Sequence, residues 1–300
     1  EGLTVFRDQS FTSDLHSYGI KRIEDVSFLR NFQFAEDKGP TSHAVKPKEY
    51  VAIDNFYTTT IYEKGAELIR MLELLLGKEK FMRGMKLYVE NFDGSAATTE
   101  DFIYSLIKGA YSDKKDCPFD VNKFLNWYYE PGTPKVYINQ SWDSKNSILN
   151  ISFEQKIGGD KNIEMVIPIL YSCYSRKKDG ESLVEDKLFI LDQNKKNLQI
   201  HVVEKEKYSP VLSIFRRFSS PVEWESNLSL DDYLFLFLND NDYFSKWDSG
   251  QVLMREIIKN RINKKRDYLL ESRFINAIKE SIKFLGINDY FFLSTLLTIP

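Results

Sequence analysis

Cysteine and histidine are scarce: 300 residues hold 2 cysteines and 3 histidines. Cys117 and Cys173 fall in segments read below as different domains, which argues against a disulfide framework and fits a reducing, cytoplasmic compartment. His16, His43 and His201 stand singly, none with a glutamate neighbour or a second histidine at metal spacing, so none is assigned a role beyond polar surface. Long apolar runs are also missing. The run Tyr233–Leu238 is far too short to cross a bilayer, and no signal-type apolar segment follows the N-terminus, so no membrane partner is expected. Charge of one sign is lacking as well: 41 Lys and Arg face 44 Asp and Glu, a net of -3, so nucleic acid is not an expected partner. No methionine opens the chain, which starts at Glu1 and reads as a piece of something longer. Sequons at Asn139, Asn150 and Asn227 would matter only in a secreted protein and are read as chance.

What is present is apolar and aromatic: 42% hydrophobic and 14% aromatic residues over 300 positions fill the cores of two or three domains. Residues 1–36 show helical spacing (Leu3, Phe6, then Ile20, Ile23, Val26, Leu29) with an interruption around Thr12–Gly19. Residues 37–53 are loop, broken by Gly39-Pro40 and Lys46-Pro47. A central helix ends at Gly77, another starts at Phe81, and Thr98-Thr-Glu-Asp101 is a capping box ahead of Phe102, Leu106 and Ile107, with Gly109 placed to end that helix. A short helix over Asp120–Tyr129 closes at Pro131-Gly132. From Thr133 the period becomes two: Val136/Ile138, Leu149/Ile151/Phe153, Met165 to Cys173, Leu188/Ile190 and Ile200/Val202, separated by turns at Asp143-Ser144, Gly158-Gly159 and Lys178-Asp-Gly180. This predicts a small antiparallel β domain, with Pro168 marking an edge or a bulge. Helices return over 231–239, 243–263 and 273–285, with a further start at Asp289. Val252, Ile257, Ile258 and Ile262 form an expected buried stripe, with Arg255, Lys259 and Lys264 outward. The fold class is therefore multidomain α+β, divided as 1–132, 133–225 and 226–300.

The stretch Asp54–Leu76 carries the chemistry. Ile61, Leu68, Ile69, Leu72, Leu75 and Leu76 give it one buried face. Tyr57 and Tyr62 flank the start of that helix, where first-turn N–H groups are unpaired and a phenol can point into an adjoining cavity. From the pattern alone, a tyrosine there is more often a half-buried core residue with its hydroxyl satisfied than a catalyst.

Tyr62-Glu-Lys-Gly-Ala-Glu67, Asn55-Phe-Tyr-Thr58 and the opening Glu1-Gly-Leu-Thr-Val-Phe-Arg-Asp-Gln9 resemble the aminopeptidase N family of zinc metallopeptidases, in its alanyl aminopeptidase branch. Gln33-Phe-Ala-Glu-Asp37, Asp93-Gly-Ser-Ala-Ala-Thr98, Gly132-Thr-Pro134, Phe218-Ser-Ser-Pro-Val222 and Phe244-Ser-Lys-Trp-Asp248 agree in order, so the resemblance spans nearly the whole chain. It implies the helical part of a thermolysin-like catalytic domain, then an antiparallel β-sandwich, then the start of an α-helical superhelix. It makes Glu1 the third ligand of one catalytic Zn2+, completing a His, His, Glu set that leaves an open position for water. Tyr62 becomes the donor to the oxyanion, Tyr57 and Asp54 line the site for the first side chain, and Glu63 orients neighbours. Tyr57 reads equally as core packing under its loop. Asp54 departs from the Asn usual in bacterial relatives and either adds a carboxylate near substrate or caps the helix. The substrates implied are peptides with a free N-terminus.

Two parts of the family pattern are absent: there is no His-Glu-x-x-His and no Gly-Ala-Met-Glu-Asn, whose glutamate in the family binds the free α-amine. One carboxylate does not hold catalytic zinc, so the chain alone is expected to be metal-poor and inactive. Two other readings stay open: an epoxide-hydrolysing relative on the same scaffold, and a non-catalytic interaction fragment. The pairing of Glu1 with Tyr62 speaks for the enzyme.

Overall fold

The structure is a computed structural model, and it describes residues 1–158, 163–176, 180–202, 208–285 and 289–300. Gly159, Lys178 and Asp179, parts of two expected turns, lie outside the described residues.

Helices α1 (Gly2–Leu15) and α2 (Tyr18–Phe28) form the predicted pair, broken at His16-Ser17, where the Ser17 hydroxyl accepts from Ile20 N and starts α2. A π-helical turn over Leu29–Gln33 carries α2 into α3 (Phe34–Lys38), so the helix reaches slightly past the expected loop start. After the loop come a 3-10 turn (Ile53–Phe56), a π-helical turn (Thr60–Lys64) and α4 (Gly65–Leu76), which stops at Gly77 with φ +80°. Then follow α5 (Lys78–Phe92), α6 (Thr99–Ala110) and α7 (Val121–Tyr129). The Thr98 capping box forms as expected: Asp101 N donates to Thr98 Oγ1 at 3.1 Å, and Thr98 N donates to Asp101 Oδ2 at 2.9 Å.

The β region is two sheets. One has the order β5 (Lys195–His201), β2 (Ile148–Lys156), β1 (Lys135–Asp143), β7 (Glu223–Ser226); the other is β4 (Ser182–Leu191), β3 (Ile167–Tyr174), β6 (Val211–Ile214). Pairing is antiparallel except between β1 and β7, which run parallel. Val136, Ile138, Leu149, Ile151 and Phe153 face β3's fully buried row across the core. Pro168 is tolerated in the central strand because β6 pairs only with Tyr171–Tyr174, leaving the Pro168 end of β3 an edge on that side. Cys173 is buried in β3, Cys117 is half-buried, and no disulfide joins them.

Helices α8 (Leu230–Asn239), α9 (Tyr243–Ile262), α10 (Tyr268–Leu285) and α11 (Tyr290–Leu296) close the chain. The expected α9 stripe is corrected. Leu253 and Trp247 are buried, whereas Ile258 and Ile262 are exposed, because the core ends where α8, α2 and α11 stop covering α9. Among the described residues two large apolar cores result, beside a small cluster of Tyr174, Val211 and Leu236. One joins α1 and α4 to α7 with both sheets, and the other joins α2 and Phe34 with α8 to α11. No described helix is long and apolar enough to cross a membrane.

Candidate active site

Glu1 stands at the start of α1, exposed, with no capping bond from its side chain. Tyr62 lies in the π-helical turn ahead of α4 and is half-buried. The fold brings them together. Partial burial, the charge of Glu1 and the neighbouring Tyr57 push the Tyr62 phenol above its ordinary 10.0. At neutral pH the group is therefore a protonated, neutral donor. Tyr57 joins them, its ring centroid 6.1 Å from that of Tyr62 at an interplanar angle of 32°. It is 68% exposed, so it is not core packing under the loop.

Asp54 sits on the exposed 3-10 turn, and its backbone oxygen accepts from Tyr57 N at 3.1 Å. It does not cap the helix, which corrects that expectation. The first-turn groups are taken elsewhere: Glu36 Oε2 accepts from Thr60 N (2.9 Å), Thr60 Oγ1 (2.8 Å) and Thr59 Oγ1 (2.6 Å), and Thr58 Oγ1 accepts from Ile61 N (3.2 Å). Glu63 points away from the phenol toward α1, accepting from Gln9 Nε2 at 3.2 Å.

The residues that hold this arrangement were not assigned roles from sequence. Lys64 is buried and donates to Asp37 Oδ2 (3.0 Å) and Gly132 O (2.8 Å), tying the turn after Tyr62 to the entrance of the β region. Burial lowers the Lys64 ammonium below its ordinary value, partly offset by Asp37 and Glu36. Glu67 forms a bidentate pair with buried Arg22 at 2.6 and 2.5 Å. Burial alone would raise the Glu67 carboxyl, but the charge and hydrogen bonds of Arg22, with help from Arg70, bring it below its ordinary range. The only sequence signal for Lys64, Asp37, Gly132 and Glu67 was their place in the quoted motifs, and Arg22 and Arg70 had none. His43, expected as plain polar surface, is half-buried with Nε2 4.0 Å from Glu36 Oε1, since α3 ends under its loop.

Among the described residues no group of three or more His, Cys, Asp or Glu is placed to hold a metal. Glu1 offers one hard oxygen, unencumbered by a cap and next to a phenol, which fits one member of a mixed nitrogen and oxygen ligand set and not a whole one. A cleft of about 680 Å³ opens elsewhere, between α1, the α4–α5 junction and the 216–219 turn; it is lined by Phe6, Arg70, Phe81 and Arg217 among others and shares no residue with the Glu1, Tyr57 and Tyr62 group.

Residues 1–128 match the Peptidase family M1 domain, residues 132–227 a domain of unknown function with an Ig-like fold, and residues 230–300 a domain of unknown function with ARM repeats. Aminopeptidase N of Caulobacter vibrioides is 37% identical over 284 residues, 94% of this chain and 32% of that protein. Aminopeptidase N of Escherichia coli is 35% identical over 269 residues, 86% of this chain and 30% of that protein. The crystal structure of Legionella pneumophila aminopeptidase A in complex with aspartic acid superposes with a TM-score of 0.82 at 26% identity, covering 100% of this chain and 32% of that one. The chain thus spans about a third of the length of the relatives it matches.

Proposed function

Because the chain belongs to peptidase family M1, we propose that it forms the helical half of a zinc aminopeptidase's catalytic domain (1–132), the β-sandwich behind it (133–225) and the start of a helical domain (226–300). It acts on peptides with a free N-terminus. Glu1 is one metal ligand, and the remaining ligands come from polypeptide outside residues 1–300. Zinc bound there would polarise the scissile carbonyl and activate a water.

The chain's own residues do the rest. Tyr62 holds its proton at neutral pH and donates it as a hydrogen bond to the oxygen that gains charge in the transition state. Tyr57 presents an exposed aromatic face to the first side chain of the peptide, and Asp54 stands at the rim on the turn before it. Cys117 and Cys173, not joined by a disulfide, are in keeping with a cytoplasmic setting.

The observation that supports this reading is that the start of α1, where Glu1 stands, packs directly on the start of α4 beside Tyr62, a Cβ on Gly2 meeting Gly65 C at 2.5 Å. The test is Tyr62→Phe in the full-length protein, which removes one oxygen and leaves the ring. Turnover of an aminoacyl amide should fall roughly a hundredfold with KM little changed. Near-normal kcat would remove Tyr62 from the mechanism.

A further inference from the structure

Helices α1 and α4 cross where two glycines touch. A Cβ built on Gly2 would stand 2.5 Å from Gly65 C, 2.8 Å from Gly65 O and 2.9 Å from Ala66 N; one built on Gly65 would stand 3.2 Å from Gly2 Cα. Neither glycine has a positive φ, so backbone conformation does not call for them. Closeness does. Glu1 immediately precedes Gly2, and Tyr62 lies one helical turn before Gly65. The contact therefore joins the backbone next to the carboxylate to the backbone next to the phenol.

The α4 side of the contact is fixed. Lys64 is locked to Asp37 and Gly132, Glu36 grips Thr59 and Thr60, and Glu67 is held by Arg22. Further along α1, Gln9 is held between Glu63 and Arg70. At the start of α1, Glu1 makes no side-chain capping bond. A methyl group at position 2 is relieved where the structure can yield, by displacing the first turn of α1 and Glu1 with it.

We propose that the Gly2–Gly65 contact is a positioning device that sets the spacing of the Glu1 carboxylate from the Tyr62 phenol; this rests on the roles given to those two residues above. The alternative is that two glycines merely pack two helices. The same region holds a comparison for that alternative. A Cβ on Gly84 of α5 would lie 2.5 Å from Leu106 Cα, and one on Gly109 of α6 would lie 2.4 Å from Gly84 Cα. That crossing is as tight, and α5 and α6 carry none of Glu1, Tyr57 and Tyr62.

The experiment compares Gly2→Ala, Gly65→Ala, Gly84→Ala and Glu1→Gln in the full-length protein, measuring Tm, zinc retained after dialysis, and kcat and KM on an alanyl amide. Gly2→Ala should lose kcat by roughly ten- to a hundredfold at nearly unchanged KM and retain less zinc. Gly65→Ala, with its milder contact, should move the same way by less, and it carries the test if Gly2→Ala does not fold. Gly84→Ala should lower Tm while keeping zinc and kcat per folded molecule. Wild-type kcat and zinc in both Gly2→Ala and Gly65→Ala, with Glu1→Gln inactive, would overturn the positioning role alone. Equal losses of zinc and kcat in Gly84→Ala would do so too. Wild-type zinc and turnover in Glu1→Gln would instead bring down the assignment of Glu1 as a ligand.

Discussion

One oxygen of Glu36 takes three donors at the start of the Tyr62 turn, where the helix dipole also favours a negative charge. Glu100 plays a similar part in reinforcing α6. It accepts from Lys46 Nζ with both oxygens at 2.6 Å and from the Tyr129 hydroxyl, and these bonds bring its carboxyl from 4.5 down to about 2. The Tyr129 phenol is pushed up, by burial and by Glu100, to about 12. Because the folded carboxyl titrates below the unfolded one, the contribution is fully present above pH 4.5 and is lost as pH falls toward 2. The Glu100 side chain is 29% and Lys46 40% exposed, so solvent screening limits the effect to about 1 kcal/mol or less. Thermal melts of the wild type and Glu100→Gln should therefore differ at pH 6 and converge between pH 4.5 and 2. Two melting curves offset equally at every pH would show that Glu100 contributes nothing through its charge.

At the scale of elements, the turn after β6 concentrates the backbone strain. Phe215, Arg217 and Phe218 all have left-handed φ, at 52°, 55° and 51°, a conformation that costs a bulky side chain about 1 kcal/mol or more. Arg22 holds it: Nε donates to Arg217 O at 2.9 Å and Nη2 to Phe218 O at 3.0 Å, while the same guanidinium is paired with Glu67. Phe215 stacks on Trp224 at 4.8 Å, and Arg217 N donates to Asp242 Oδ2 at 3.0 Å. Arg22→Met should cost about 3–5 kcal/mol, since it strands a buried carboxylate and two carbonyls. Arg22→Met with Glu67→Leu should recover only part of that, because the carbonyls stay without donors. Urea unfolding of both variants checks this, and a single-variant cost under about 1 kcal/mol would show that the turn stands without Arg22. None of this was legible in sequence. Helical spacing gave α4, and Gly77 and the Thr98 box gave their caps. A buried arginine and glutamate, 45 positions apart, look like two surface charges until the fold pairs them. The π-helical turn at Thr60–Lys64 has no compositional mark, and β6 and β7, four residues each, are too short to show a period. Glu1 and Tyr62 were found through the resemblance, and the glycine contact that joins their helices needed the coordinates.

For the whole molecule, the cores do not follow the division at 132 and 225. Trp127 Nε1 donates to Val166 O at 2.8 Å and Asn126 Nδ2 to Glu164 O at 2.9 Å, fastening α7 to the strand region. Ile23 and Val26 of α2 are buried with Phe237, Phe244 and Leu253 of the last helices. An element near the start of the chain is thus part of the core near its end, and neither region can open without exposing the other's apolar face. Purified residues 1–300 should therefore unfold in one thermal transition. Cooperative folding does not supply metal ligands, however. With Glu1 alone at the site and no cluster of three ligating side chains among the described residues, the same preparation should hold far less than one zinc per chain and leave an aminoacyl amide intact. Calorimetry, metal analysis and a chromogenic assay on one sample separate the two claims. Two resolved transitions would show that the cores are independent, and one tightly held zinc with turnover would show that Glu1 is not the only ligand these residues provide.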